Sequence, residues 1–310
     1  MSIHWVTRNI GLPFWVGEIC LFRKSFRLKA ANIDFPNILP EDVQKIIPRH
    51  PIDDTDGFML YSAPMNESHK ILWKNDAYIF YVQQSFHRYF ITLDEDYEEY
   101  MQQFSSKTRS TFRRKVRKFE EESGGTIDWR IYRSQEEMKE FHKIARDISK
   151  ETYQEKLLNA GLPDDEGFYK HMMQHAERGT AFGFLLYLNG EAVSYLYSPI
   201  YDGRMIYDHL GYLPEHSKLS PGIVLFLLVL EYLFETKPNP IFDFTEGQSE
   251  QKKQFSTNSI YCANLFCIEN KFSNYFWLWL NNAINHLSEN VASFLDKIGL
   301  KDSIKKLLRR

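Results

Sequence analysis

Residues 180–230 read TAFGFLLYLNGEAVSYLYSPIYDGRMIYDHLGYLPEHSKLSPGIVLFLLVL, and the reading of this stretch decides the fold. Its apolar runs are separated by Asn189-Gly190 and Asp202-Gly203, dipeptides that tolerate the positive φ of tight hairpin turns. Three antiparallel strands are therefore predicted, over residues 180–188, 191–201 and 204–212. A loop, 213–219, delivers the chain to Ser220-Pro221-Gly222 and an almost wholly apolar helix over 223–236. Ser220 suits an N-cap, and Pro221 suits the first helical position. A helix start behind such a loop leaves backbone N–H groups aimed at one spot, which is how phosphate binds. Gly222 would allow close approach, and Lys218 or His216 would add charge. A capped core helix without any ligand has the same sequence.

Working outward, a short strand at 241–244 ends in Asp243-Phe244-Thr245-Glu246-Gly247, followed by a polar helix over 249–255 carrying Lys252 and a strand over 259–268. Mixed sheets present ligand-binding groups at such strand ends; a turn with a capping Asp explains the pattern equally. Upstream, residues 76–92 are aromatic and β-branched and read as one or two strands. A helix with seven Lys or Arg among residues 107–118 follows; Phe112, Val116 and Phe119 share one face and Arg109, Arg113 and Arg117 another. A strand at 126–132, a capping box at Ser134 to Glu137 with a helix over 136–152, and a helix over 164–178 complete the middle of the chain. Six prolines punctuate residues 1–70, so only short elements are expected there. Residues 273–310 read as a helix, aromatic at Tyr275–Leu280 and basic at Lys301, Lys305, Lys306, Arg309 and Arg310. That pattern suits a membrane interface, or a docked helix with a solvated tail.

Composition bounds the class. With 310 residues, 43% apolar and 25% charged, the chain is of globular type and long enough for about two domains of ~150 residues. A net charge of -3 gives no global field for nucleic acid. Cys20, Cys262 and Cys267 form no CxxC pair, which fits free thiols and excludes a disulfide frame. The N-terminus has no clean apolar run like that of a signal peptide. The longest apolar run, 223–230, falls far short of the roughly 20 residues needed to cross a bilayer. A cytoplasmic chain is expected, with contact at the inner face of a membrane. His171 and His175 lie one helical turn apart without a third ligand, so no metal is expected.

The order Gly211-Tyr212-Leu213-Pro214, Leu219-Ser220-Pro221-Gly222, Phe242-Asp243-Phe244-Thr245-Glu246-Gly247 and Lys252–Phe255 resembles the cellulose- and exopolysaccharide-biosynthesis branch of the GNAT acyltransferases. The segment Ser105-Ser106-Lys107-x-Arg109 upstream resembles that branch's S-x-K-x-R helix. The resemblance covers about residues 75–270. Three positions depart from the pattern: Glu246 replaces a frequent Arg, Gln248 stands for Asp or Glu, and Gln251 for Tyr.

The resemblance implies an α+β (mixed α/β) chain of two tandem GNAT-like units, each a mostly antiparallel mixed sheet flanked by helices, related to the Fem-type aminoacyltransferases. Residues 1–125 would be a degenerate unit, 126–270 the acyl-CoA-binding unit and 271–310 an amphipathic tail. Acetyl-CoA or another acyl-CoA would be the donor, held by Tyr212, Ser217, Lys218, Leu219, Ser220, Gly222, Ile223 and Lys252. The pantetheine arm would enter where strands 204–212 and 241–244 splay, with the pyrophosphate on the next helix. The acceptor would be a sugar or other small intermediate of exopolysaccharide metabolism. Attack on the thioester needs a base and an oxyanion donor. Asp208 and His209 are expected on opposite faces of the third strand, with Asp208 preferred as base; Asp243 is a further catalytic candidate. A tRNA-dependent Fem-like transferase, or a non-catalytic scaffold of a membrane-associated complex, remains open.

Overall fold

The computed structural model describes residues 3–17, 19–33, 38–152, 155–156, 161–247 and 249–297. In chain order its strands are β1 (Val6–Val16), β2 (Ile19–Asn32), β3 (Gly57–Pro64), β4 (Leu72–Lys74), β5 (Tyr78–Thr92), β6 (Asp128–Tyr132) and β7 (Gly183–Leu188). They continue as β8 (Glu191–Tyr197), β9 (Ile200–Tyr201), β10 (Arg204–Ile206), β11 (His209–Tyr212), β12 (Ile241–Asp243) and β13 (Asn258–Glu269). The α-helices are α1 (Tyr97–Gln102), α2 (Ser106–Glu122), α3 (Gln135–Glu151), α4 (Glu166–Glu177), α5 (Pro221–Thr236), α6 (Glu250–Phe255) and α7 (Phe272–Lys297). The mixed α/β class expected from the sequence holds, and the fold is GNAT-like.

Packing divides the chain into two compact units, Met1–His87 with Ile260–Arg310, and Arg88–Ser259. These limits differ from the 125/126 division read from the sequence. Phe112 and Phe119 of α2 are buried in the same core as Phe226 of α5 and Phe184 of β7, so residues just before 125 pack with those after it.

In the first unit, β1 and β2 form an antiparallel hairpin, β2 runs parallel to β3, and β3 is antiparallel to β13. Here the expectation of short elements fails: β1 has 11 residues and β2 has 14. Pro13 lies on β1, an edge strand, where a missing backbone donor is tolerated. Near the turn Phe14 pairs with Phe22 but Trp15 with Cys20, so Leu21 is the extra residue of a bulge. Leu12, Phe14, Phe26 and Leu28 are buried with Phe266 and Leu278.

The second unit holds a four-stranded antiparallel sheet in the order β11-β8-β7-β6. The Asn189-Gly190 turn joins β7 to β8 with φ of 51° and 86°, as the dipeptide demands. Alternation sends Phe184, Leu186 and Leu196 towards α5, and Leu185, Tyr195 and Tyr197 towards Phe141 of α3 and Met172 of α4. Every residue of β7 is buried, as a strand covered on both faces requires. The Ser134–Glu137 capping box starts α3 as the sequence indicated.

The predicted third strand does not run unbroken from 204 to 212. Its first part, β10, runs parallel to β12, whereas its second part, β11, is antiparallel to β8 in the other sheet. The switch falls at Tyr207-Asp208. The Tyr207 N–H donates to the Asp243 carbonyl at 2.9 Å, and the next N–H, of Asp208, donates to the Tyr197 carbonyl at 3.3 Å. The two sheets part at this dipeptide. β11 is an edge strand.

Ser220 starts α5 differently from expectation. It sits in the left-handed region (φ 54°, ψ 46°), and its side chain makes no cap hydrogen bond. The reason is local. A 3₁₀ helix, Pro214–Leu219, runs directly into α5, so Ser220 must turn the backbone sharply instead of approaching in extended form. Its N–H donates to the Ser217 carbonyl at 3.0 Å, and its carbonyl accepts from the Ile223 and Val224 N–H groups at 3.0 and 3.1 Å. Ser220→Gly is therefore expected to stabilise the protein by about 0.5–1 kcal/mol, because glycine adopts this conformation at no steric cost. Loss of a cap would instead lower the melting temperature, and thermal unfolding separates the two.

Candidate active site

A cleft of about 470 Å³ opens in the second unit where the sheets part. That size suits a small-molecule site. Tyr207, Asp208, His209, Leu210 and Tyr212 line it from the split strand, Gly222 and Ile223 from the start of α5, and Tyr195 from β8. Thr152, Gly161 and Gln251 complete the wall. Five of the residues singled out from sequence thus meet here: Asp208, His209, Tyr212, Gly222 and Ile223.

Asp208 and His209 do not lie on opposite faces. The chain leaves strand geometry at Asp208, so strand alternation does not apply, and Asp208 Oδ1 stands 3.6 Å from His209 Nε2. Burial raises the Asp208 carboxyl above its ordinary range and lowers the His209 imidazole; each partner's charge opposes the other's shift only in part. Phe168 of α4 packs edge-on against His209 at 5.6 Å. Both side chains stand on the cleft wall. Burial also raises the hydroxyl pKa of Tyr195, and that of Tyr207 well beyond the ordinary phenol, so both are protonated and can donate.

The floor near α5 is tightly built. A Cβ on Gly211 would stand 2.5 Å from the Tyr195 ring, so only glycine admits that ring across β11. A Cβ on Gly222 would lie 3.1 Å from Tyr212 Cδ1 and 3.3 Å from Leu210 Cδ2. The close approach at Gly222 is thus made by side chains of β11. Of the backbone donors expected here, that of Ile223 is engaged by the Ser220 carbonyl at 3.0 Å. Ser217 and Lys218 are exposed on the 3₁₀ helix, Leu219 is half-buried, and the Lys218 carbonyl accepts from Lys118 Nζ of α2 at 3.3 Å.

Asp243 is placed differently. It is fully buried, and Arg88 grips it with Nε at 3.1 Å from Oδ1 and Nη2 at 2.5 Å from Oδ2. Oδ1 also accepts the Thr245 N–H at 2.9 Å, and Arg204 Nη1 lies 3.8 Å from Oδ2. Such a carboxylate positions β12 and the split strand beside it. Lys252 Nζ donates to the Glu246 carbonyl at 2.7 Å, and burial lowers its pKa. Gln248 lies outside the described residues. Sequence reasoning missed Arg88, Arg204 and Tyr195; none stands in a motif, and only the register across sheets brings them in.

Outside the cleft, Glu191, Glu215 and His216 bring three potential ligand atoms within 4.8 Å of one another. Both carboxylates are exposed, and such clusters are common without a metal.

Residues 106–253 match the family model described as an acetyltransferase (GNAT) domain, a stretch that contains the whole cleft. Among solved structures the chain is similar to L-PGS from Bacillus licheniformis, at 16% identity over 73% of this chain and 72% of that one, with a TM-score of 0.45. It is similar to FemX at 11% identity over 89% and 90% of the two chains, TM-score 0.47. It is also similar to a GCN5-related N-acetyltransferase from Kribbella flavida, at 12% identity over 62% and 60%, TM-score 0.32. No curated protein matches the chain.

Proposed function

We propose that the second unit is an acyl-CoA-dependent N- or O-acyltransferase that uses the Asp208–His209 pair as proton acceptor. The observation that carries this reading is the split of the 204–212 segment at Tyr207-Asp208. It opens the cleft, frees one edge of β11, and sets a basic pair of side chains in the gap. An extended pantetheine arm would pair with that free edge as an added strand. The match of residues 106–253 to an acetyltransferase domain supports the same chemistry. The acceptor's amine or hydroxyl attacks the thioester carbonyl directly. Asp208–His209 takes the proton, and the protonated Tyr195 or Tyr207 hydroxyl donates to the developing oxyanion or the leaving thiolate.

The donor is acetyl-CoA or a close relative, and the acceptor a sugar or small intermediate of exopolysaccharide or capsule metabolism, as the motif resemblance indicates. Purified protein should melt at higher temperature with acetyl-CoA and should release free CoA with an amino-sugar acceptor. No thermal shift at millimolar CoA, together with no thiol release, would defeat the proposal.

A Fem-like, tRNA-dependent transfer is the second reading. It is favoured by one feature: Lys107, Arg113, Arg114, Arg117 and Lys118 are exposed on α2. A gel shift with total tRNA at low salt decides it, since such binding must fall steeply with salt.

Gly222→Val tests the α5 end of the cleft. The added branched side chain must push Tyr212 and Leu210, both on the cleft wall. It should weaken CoA binding about tenfold, or 1.4 kcal/mol, and cost about 1–3 kcal/mol of stability by overpacking. Calorimetric titration beside a melting curve reads both. Unchanged CoA affinity in the folded variant would move the donor away from α5.

A further inference from the structure

In the first unit, α7 docks through one face. Trp277 meets the Phe14 and Phe22 rings edge-on at 5.9 and 5.8 Å, and Leu278 is fully buried. Asn281 donates to the Pro13 carbonyl at 2.8 Å and accepts from the Tyr81 hydroxyl at 2.7 Å. A helix held this way should be polar on its other side. It is not. Phe272, Phe276, Trp279 and Leu287 recur at helical spacing on the opposite side and are 87%, 44%, 48% and 65% exposed. No Asp, Glu, Lys or Arg occurs between Lys271 and Glu289.

A second exposed apolar group adjoins the first. The tip of the β1–β2 hairpin presents Trp15, Val16, Ile19, Leu21 and Phe22, from 39% to 58% exposed. The bulge at Leu21 turns that side chain outward with its neighbours. Phe22 stacks on Phe14 at 4.3 Å and meets Trp277, which lies 5.5 Å from Phe276. Hairpin tip and helix stripe therefore adjoin through Trp277. Clustered exposed apolar side chains of this extent mark an interaction surface.

Charge decides the occupant. Residues 6–32 carry Arg8, Arg23, Lys24 and Arg27 against the single acid Glu18, and their fifth cation, Lys29, is paired with Asp53 at 2.6 Å. In the sequence alone, residues 297–310 carry six Lys or Arg against one Asp. Lys24 Nζ lies over the Phe26 ring at 5.4 Å and Lys74 Nζ over the Tyr275 ring at 5.6 Å, which places cations beside the aromatic side chains. A second copy meeting this face across a two-fold axis would bring these like charges together. An anionic bilayer would neutralise them while taking the aromatic side chains into its interface. No helix among the described residues is long and apolar enough to cross a membrane.

We infer that the hairpin tip and the outer stripe of α7 together dock the protein on an anionic membrane surface, lying in its interface. The full chain should float with vesicles of phosphatidylcholine and phosphatidylglycerol, and much less with phosphatidylcholine alone. The pairs Trp15→Ser with Leu21→Ser, and Phe276→Ser with Trp279→Ser, should each weaken vesicle binding by about tenfold or more. Their melting temperatures should fall only slightly compared with the loss of vesicle binding, because these side chains are 39–58% exposed. Absence of flotation at low salt, or flotation indifferent to both pairs in folded protein, would overturn the inference. So would a dimer in sedimentation velocity that the same substitutions dissociate, since the surface would then belong to a second copy.

Discussion

Asp208→Asn is expected to abolish most acyl transfer, by about 10²–10⁴-fold if the carboxylate serves as general base, while the chain stays folded. The stability side follows from the direction of the shift. Burial raises the Asp208 carboxyl, so the folded state holds that proton more tightly than the unfolded state. Its favourable contribution is complete below the ordinary carboxylate pKa and is lost as pH rises through the raised value. At neutral pH the ionised group is therefore a burden, and the neutral amide should leave stability unchanged or slightly higher. His209 runs the other way. Its folded-state pKa is lowered, so its contribution is present above the ordinary imidazole value and is lost as pH falls through that region. In the wild-type enzyme, kcat/KM should rise with pH on a limb below the ordinary imidazole pKa and flatten above it. His209→Gln should move that limb, because the pair titrates as a unit. A pH profile with no acid limb, or an Asp208→Asn enzyme with wild-type turnover, would remove the pair from the chemistry.

The sequence was most informative where residue type and backbone are tied locally. Asn189-Gly190 and Asp202-Gly203 named their turns because few other residues take φ of 51°, 86°, 46° and 71°. Ser134 and Glu137 named the start of α3, since both halves of a capping box lie within four residues. It was least informative where a distant partner decides. Residues 204–212 look like one strand, and their break at Tyr207-Asp208 exists only because Asp243 and Tyr197 take successive N–H groups into different sheets. Asp208 and His209 are consequently neighbours in space, against simple alternation. Ser220 shows the same limit at a helix start: the side chain is right for a cap, but the 3₁₀ helix before it imposes a left-handed backbone. Prolines misled in the other direction. Pro13 suggested interruption, yet it rests on an edge strand of 11 residues where nothing needs its missing donor.

Arg88→Met is expected to destabilise the second unit by about 3–5 kcal/mol, the usual penalty for stripping one partner from a buried ion pair. Asp243 is fully buried and the Arg88 side chain is 12% exposed, so water does little to screen the pair or replace the lost partner. Arg204 Nη1 remains 3.8 Å from Oδ2, close enough for attraction but beyond hydrogen-bond length, which places the effect towards the lower end of that range. Arg88→Lys should cost less, since charge survives while the two-pronged grip on Oδ1 and Oδ2 is lost. Replacing both partners, Arg88→Met with Asp243→Leu, should recover only part of the loss, because the carboxylate is gone but the buried Arg204 loses Asp243 as a counter-charge. The effect should reach the cleft. Arg88 is on β5, Asp243 on β12, and the Asp243 carbonyl accepts the Tyr207 N–H at 2.9 Å, one residue before Asp208. Loosening β12 removes the anchor that turns the chain at Asp208. In protein still folded at low temperature, acyl transfer should therefore fall further than donor binding. Urea unfolding of the three variants supplies the stabilities, and initial rates at saturating donor supply the rest. If Arg88→Met unfolds at the wild-type urea midpoint, the clamp is dispensable and something other than Asp243 holds the sheets apart at Tyr207.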